Sequence, residues 1–205
     1  MFEVTLFSAL IYTLSFSFLY YLGLCLYKRK VITLRLSELI LYVTVFCIFG
    51  VAGEVLVNNI WELIFKSPLW EYRLYPAHDG DISYFFVFIW GGLGYYRYLN
   101  DKVIHGLQTK KYFKSGVIMG AEAVVLELAY NGFFLLLFGS YIFYYLPSNL
   151  GPFSHLSCLE VIPFYFAVGL LTSVLISCHK KIVSSLHLGV LLTFYWGVTA
   201  SIVLF

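Results

Sequence analysis

Residues 53–83 read GEVLVNNIWELIFKSPLWEYRLYPAHDGDIS, and the reading of this stretch decides the fold. It opens inside a segment apolar enough for lipid, yet Glu54 places a carboxylate there. An aromatic-acidic triplet follows, Trp70-Glu71-Tyr72, and then Pro76-x-His78-x-Gly80 and Ile82-Ser83. A carboxylate in hydrocarbon is expensive, so Glu54 must meet a partner or a wet cavity.

The whole chain repeats the apolar character of that opening. Of its 205 residues, 61% are hydrophobic and 12% are charged. A soluble domain carries about 25% charged residues. With half that share, most of the surface must face lipid, and the chain reads as an integral membrane protein without a separate soluble domain. Its first partner is therefore the lipid bilayer. A net charge of +2 and short basic runs give no footing for nucleic acid. Cys25, Cys47, Cys158 and Cys178 form no CxxC pair and read as small apolar residues.

A helix needs about 20 apolar residues to cross the hydrocarbon core. Six segments meet or approach this: 2–27, 38–65, 82–98, 115–138, 156–178 and 186–205. The first is too long for a signal-peptide core and has no basic residues before it, so it is kept as a span. The third carries Gly91, Gly92 and Gly94, which predicts close contact with another helix. The fold class is all-α, a single transmembrane domain over 1–205. Eleven of the thirteen Lys and Arg residues fall between spans 1 and 2, 3 and 4, or 5 and 6. The positive-inside rule then puts both termini and the loops after spans 2 and 4 outside. Tyr and Trp near span ends, such as Trp70 and Tyr144-Tyr145, read as an interfacial belt.

The opening stretch has an echo. Glu54-x-x-x-Asn58 in span 2 matches Glu127-x-x-x-Asn131 in span 4. Sixteen residues after each Glu an aromatic triplet begins, Trp70-Glu71-Tyr72 and Phe143-Tyr144-Tyr145. Pro76 and Gly80 answer to Pro147 and Gly151, and Ile82-Ser83 to Leu156-Ser157. Common order and spacing predict a duplication of two parallel hairpins, spans 2–3 and 4–5, covering about 38–98 and 112–178. Side chains four apart share a helix face, so Glu54 with Asn58 and Glu127 with Asn131 make two polar stripes. Facing each other, they form a candidate substrate or ion site. Trp70, Glu71, Tyr72, His78 and Glu160 are placed beside it. The same Glu and Asn side chains also suit plain interhelical hydrogen bonding.

Glu122 and Glu160 have no twin in the first half, where Phe49 and Phe86 stand. His78, Asp79 and Asp81 read as turn residues, with Asp81 an N-cap for span 3, and no metal site is assigned. There is no P-loop, HExxH, GxSxG or histidine box, so no cofactor and no standard catalytic set is assigned.

Glu54, Trp70-Glu71-Tyr72 and Gly80-Asp81-Ile82-Ser83 resemble the CmpB-like ABC-transporter type IV membrane proteins and the related transmembrane protein 229 group. That family carries a membrane Glu, then Trp-Asp-Tyr, then Gly-x-Ile/Leu-Ser/Thr/Cys opening the next helix. The second half keeps Glu127, Gly151 and Ser157 but lacks the Trp and the acid. The resemblance implies a permease-like fold without a fixed substrate. Three functions stay open: a permease-like or accessory protein, an enzyme on a lipid or isoprenoid with Glu as general acid, and a structural partner of another membrane subunit. With no ATPase encoded, energised transport would need an ATPase subunit or an ion gradient.

Overall fold

The computed structural model describes residues 6–74, 77–78, 82–83, 85–104, 112–146, 155–179 and 185–204. The elements run α1 (Leu6–Lys28), α2 (Leu36–Phe65), β1 (Trp70–Tyr72), β2 (Ala77–His78), β3 (Ile82–Ser83), α3 (Phe86–Val103), α4 (Tyr112–Phe138), β4 (Phe143–Tyr145), α5 (Ile162–His179) and α6 (Ser185–Leu204). A 3-10 turn, Leu159–Val161, leads into α5. Four helical stretches, Phe7–Lys28, Leu36–Phe65, Tyr112–Phe138 and Leu159–His179, are long and apolar enough to cross a membrane. Outward side chains such as Phe7, Leu26, Leu63, Val125 and Leu136 are more than half exposed, as a lipid-facing surface requires. The chain is an all-α bundle of multi-pass membrane character.

Two helix starts differ from the sequence expectation. Ile82-Ser83 opens no helix. The pair forms β3 against Ala77–His78, and Ser83 Oγ accepts the Phe85 N–H at 3.1 Å. The third helix then starts at Phe86, with Phe85 in the N-cap place. Asp81, expected there, lies outside the described residues, as do Pro76, Asp79, Gly80, His105, Pro147 and Gly151. The fifth helix starts at Ile162 rather than near Leu156, because Ser157 turns inward to a buried partner and Pro163 suits only a first helical turn.

α2 packs on α3, and α4 on α5, while α1 leans on α3 and α6 on α2. Glycine sets both tight crossings. A Cβ on Gly94 would stand 2.9 Å from the Tyr42 carbonyl oxygen, and one on Gly169 would stand 2.8 Å from that of Ser115. Backbone cannot yield as a side chain can. Gly94→Ala is therefore expected to cost about 1–3 kcal/mol of stability by overpacking. Thermal unfolding in detergent reads this, with Gly23→Ala as control, since a Cβ there meets nothing within 4 Å.

At one end of the bundle β1 pairs antiparallel with β4, in the register Trp70↔Tyr145, Glu71↔Tyr144, Tyr72↔Phe143. At the other end a buried polar cluster joins four helices. Arg97 Nη2 reaches Asp101 Oδ1 at 3.0 Å and donates to Ser115 Oγ at 2.8 Å. Tyr42 donates to Asp101 Oδ2 at 3.0 Å, and Ser115 bonds Ser173 on α5.

Candidate functional site

Asn58 and Asn131 are buried, and both reach across to strand backbone. Asn58 Oδ1 accepts from Leu69 N at 2.7 Å and Trp70 N at 3.3 Å, while its Nδ2 donates to Trp70 O at 3.2 Å. Asn131 Oδ1 accepts from Ile142 N at 2.9 Å, while its Nδ2 donates to Phe143 O at 2.8 Å and Leu156 O at 3.3 Å. The partners lie at one constant offset of 73 residues, Leu69 to Ile142 and Trp70 to Phe143. Each amide thus closes a turn that returns the chain from helix to strand. Leu69, Trp70, Ile142 and Phe143 are buried, and buried loop backbone needs a partner, which the side-chain amide supplies.

The strands alternate, as their period of two demands. Trp70, Tyr72, Phe143 and Tyr145 are buried, while Glu71 and Tyr144 lie on the other face. Outside, Arg73 Nη2 pairs with Glu71 at 2.8 Å and the guanidinium lies over the Tyr144 ring, against which His155 stacks at 4.2 Å and Tyr141 stands edge-on at 5.1 Å. Trp70 and Tyr145 therefore do not form part of an interfacial belt, because their rings are consumed inside the protein. Ring centroids of Trp70 and Tyr145 stand 6.0 Å apart, edge to face.

Beneath the strands lies a cavity of about 100 Å³. Glu54 and Glu127 both line it, and both are more than nine-tenths buried. The Tyr72 hydroxyl bonds Glu54 Oε1. Glu127 Oε1 accepts from Tyr145 at 2.8 Å and Tyr165 at 2.7 Å, and its Oε2 from Ser157 at 2.5 Å. Burial pushes the Tyr72 and Tyr145 phenols well above the ordinary tyrosine value. They stay protonated and can only donate to the carboxylates. Tyr72, which donates to Glu54, and Tyr165, which donates to Glu127, line the same cavity, so the two acids stand about one shared centre.

The remaining walls are aromatic. Of the 22 described lining residues thirteen are Phe, Tyr or Trp, and none of the 22 is Lys, Arg or His. Trp90 of α3 stacks on Tyr165 of α5 at 5.8 Å and meets Phe164 at 5.9 Å. Gly50 makes room for it, since a Cβ there would come 2.0 Å from the indole. α1 closes the side: Tyr12 donates to Tyr130 O at 2.5 Å, and Thr13 bonds the Tyr130 hydroxyl at 2.6 Å. The cavity continues past Tyr95 and Tyr96 to Tyr20, which bonds Asn100.

Of the residues expected at a site, the structure brings Glu54, Glu127, Trp70 and Tyr72 together around the cavity. Asn58 and Asn131 lie directly beside it but serve the strand backbone. Glu71 points to the opposite strand face, and Glu160 lies in the 3-10 turn ahead of α5, so neither lines the cavity. His78 lies on β2, and its side chain is outside the described part. Sequence reasoning passed over Tyr165 and Trp90. Matching Gly94 with Gly169, the two crossing glycines, would have set them opposite each other. No protein-family model, no curated protein and no solved structure matches the chain.

Proposed function

We propose that this chain is a permease-like membrane protein, or the membrane subunit of a larger transporter, with a binding site for a polar group between two duplicated hairpins. The observation that carries the reading is the pair of buried carboxylates, Glu54 and Glu127, on one aromatic-walled cavity. Charged groups at membrane depth are retained where they face a pathway or a ligand. The constant offset of 73 residues between matching contacts supports duplication of the hairpins α2–α3 and α4–α5. Among the described residues, Lys28, Arg29, Lys30, Arg35, Arg97, Lys102 and Lys114 lie at the helix ends away from β1 and β4, and Lys66 and Arg73 lie beside the strands. By the positive-inside rule, the strand end and both termini face outward. The paired strands then act as the outer cover of the site. This architecture suits the expected kinship with the CmpB-like and transmembrane protein 229 proteins.

A structural-partner reading requires carboxylates satisfied by neighbours with no cavity between them, and here a cavity separates them. Cysteine accessibility tests the proposal. Ala123 lines the cavity and is 1% exposed. Ala123→Cys, in a background with the four native cysteines replaced by serine or alanine, is expected to react in vesicles with a small water-soluble thiosulfonate added to either side. Reaction only with a membrane-partitioned reagent would favour an enzyme open to lipid. No reaction with any reagent would leave a structural subunit and overturn the permease reading.

A further inference from the structure

The cavity is covered by buried rings at the strand end and by half-buried side chains along one flank. Trp70, Tyr72, Phe143 and Tyr145 line it from the strands, and all four are buried. Ser17 and Tyr20 of α1 and Leu126 of α4 line it too, and these are only half-buried. Both helices are described without a break through these positions.

The path of α1 accounts for that flank. Near the strand end it is joined to α4: Tyr12 donates to Tyr130 O, Thr13 bonds the Tyr130 hydroxyl, and Phe16 meets the Tyr130 ring at 5.4 Å. One turn further on it is joined to α3, where Tyr20 bonds Asn100 and packs on Tyr96 at 4.8 Å. The helix thus leans from α4 toward α3 as it runs to the basic end. Ser17 and Leu126 stand where α1 and α4 part. Their chain neighbours Phe18 and Val125 are 59% and 65% exposed. Large apolar side chains exposed on spanning helices mark a surface in contact with lipid. The gap between Ser17 and Leu126 therefore gives onto the bilayer.

A second observation is a donor inside. Trp90 is 2% exposed and lines the cavity, and its indole Nε1 has no acceptor among the described residues. A buried N–H left unmade is expensive, and an occupant's oxygen would recover that cost. The Trp90 ring stacks on Tyr165, whose hydroxyl bonds Glu127, so one ring links this donor to a carboxyl acceptor. Three hydroxyls, of Tyr145, Tyr165 and Ser157, use three of the four lone-pair sites of Glu127. A hydroxyl is both donor and acceptor, so it can answer the indole and the last of these sites together. A phosphate head would instead bury further negative charge beside a carboxyl group.

Size agrees. A water needs ~10–15 Å³, so about 100 Å³ takes the equivalent of roughly seven waters or more. That is room for a small head and the start of one chain.

We infer that the cavity takes the head of a small-headed lipid alcohol, which enters from the bilayer between Ser17 and Leu126 and leaves its chain in that gap. The head's hydroxyl accepts from Trp90 Nε1 and donates to Glu127. This rests on the binding-site reading above and names the ligand class for it.

The test uses the full chain in phosphatidylcholine nanodiscs with a photoreactive monoacylglycerol, its diazirine on the chain beside the ester, and maps the label by peptide mass spectrometry. Label is expected on α1 and α4 at the gap and on the cavity wall. Excess monoolein or oleyl alcohol should suppress it. Octadecene lacks the hydroxyl, glycerol lacks the chain and phosphatidic acid carries a phosphate, so none of these should. Ser17→Trp and Leu126→Trp fill the gap from either side, and each should remove most of the label while the unfolding midpoint is kept. Two variants are used so that one that fails to fold leaves the other. Leu14→Trp, at a position 58% exposed on α1, should leave labelling unchanged. Trp90→Phe keeps a ring but removes the donor. It should cut labelling by the monoacylglycerol ~5-fold and leave that by an equivalent photoreactive alkane within about twofold. Suppression by octadecene as strong as by oleyl alcohol, strongest suppression by phosphatidic acid, label that survives every gap-filling variant that folds, or no label in the cavity would each overturn the assignment. If Ala123→Cys still reacts with water-soluble reagent in those cases, the ligand class has failed while the binding-site reading stands.

Discussion

Asn131→Ala is expected to lower stability in detergent by about 3–5 kcal/mol, more than loss of either cavity glutamate's charge. The amide serves three backbone groups: Ile142 N–H, Phe143 C=O and Leu156 C=O. It is fully buried. Each buried group left unpaired costs about 1–3 kcal/mol, and alanine can serve none of them. Asn131→Asp keeps an acceptor for Ile142 but sets oxygen against two carbonyl oxygens, so it should recover only a small part. Asn59→Ala is the control. That amide is exposed and donates to Val55 O of its own helix. Chemical unfolding followed by tryptophan emission reads the differences. Because β4 hangs on this amide, Glu71→Cys with Tyr144→Cys should cross-link in good yield in the parent and poorly in the Asn131→Ala background. A loss below about 1 kcal/mol would mean that the three groups find other partners, and the stapling role would fall.

This prediction also marks where sequence stopped being informative. The Glu-x-x-x-Asn pairs were visible as two polar stripes, and helical spacing placed each Glu and Asn on one face. Their division of labour was not visible. An asparagine and a glutamate one turn apart look alike to a hydropathy scan. Only the return of the chain from Phe65 through Trp70 decides that Asn58 meets backbone while Glu54 meets Tyr72. Lipid exposure and the helix order followed from composition and apolar run length, which depend on residue type alone. The strands did not, since three-residue aromatic runs such as Trp70–Tyr72 and Phe143–Tyr145 carry too little periodicity to separate a strand from an interfacial belt. Ser157 shows the same limit. Its place in an apolar-Ser pair predicts the opening of a helix, and in the structure it is a donor to Glu127. The cavity wall was hidden for a different reason: in a chain with 42 aromatic residues, nothing local distinguishes Trp90 or Tyr165 from lipid-facing rings.

Arg97→Ala is expected to cost about 3–4 kcal/mol, and the reason lies at the opposite end of the bundle from the strands. The Arg97 side chain is 6% exposed and Asp101 18%. Removing the guanidinium strands Asp101 with Tyr42 as its remaining described donor and takes the donor from Ser115. A buried charge losing its partner is the costly case, whereas replacing both members together is often close to neutral. Arg97→Met with Asp101→Asn should therefore regain most of the loss, because Asn still accepts from Tyr42 and Met fills the stem's volume. A double-mutant cycle in detergent gives the coupling directly. The position of this pair gives the result a second use. Asn58 and Asn131 fasten the strand end, Arg97 ties α3 to α4, and Ser115 ties α4 to α5. With both ends tied, solute coming from either end of the bundle has to pass one of these ties. If Arg97→Ala raises the reaction rate of Ala123→Cys from the basic side while Asn131→Ala raises it from the strand side, the ties are the two gates of one path. If neither variant changes that rate, both are staples only, and the cavity must fill from the bilayer.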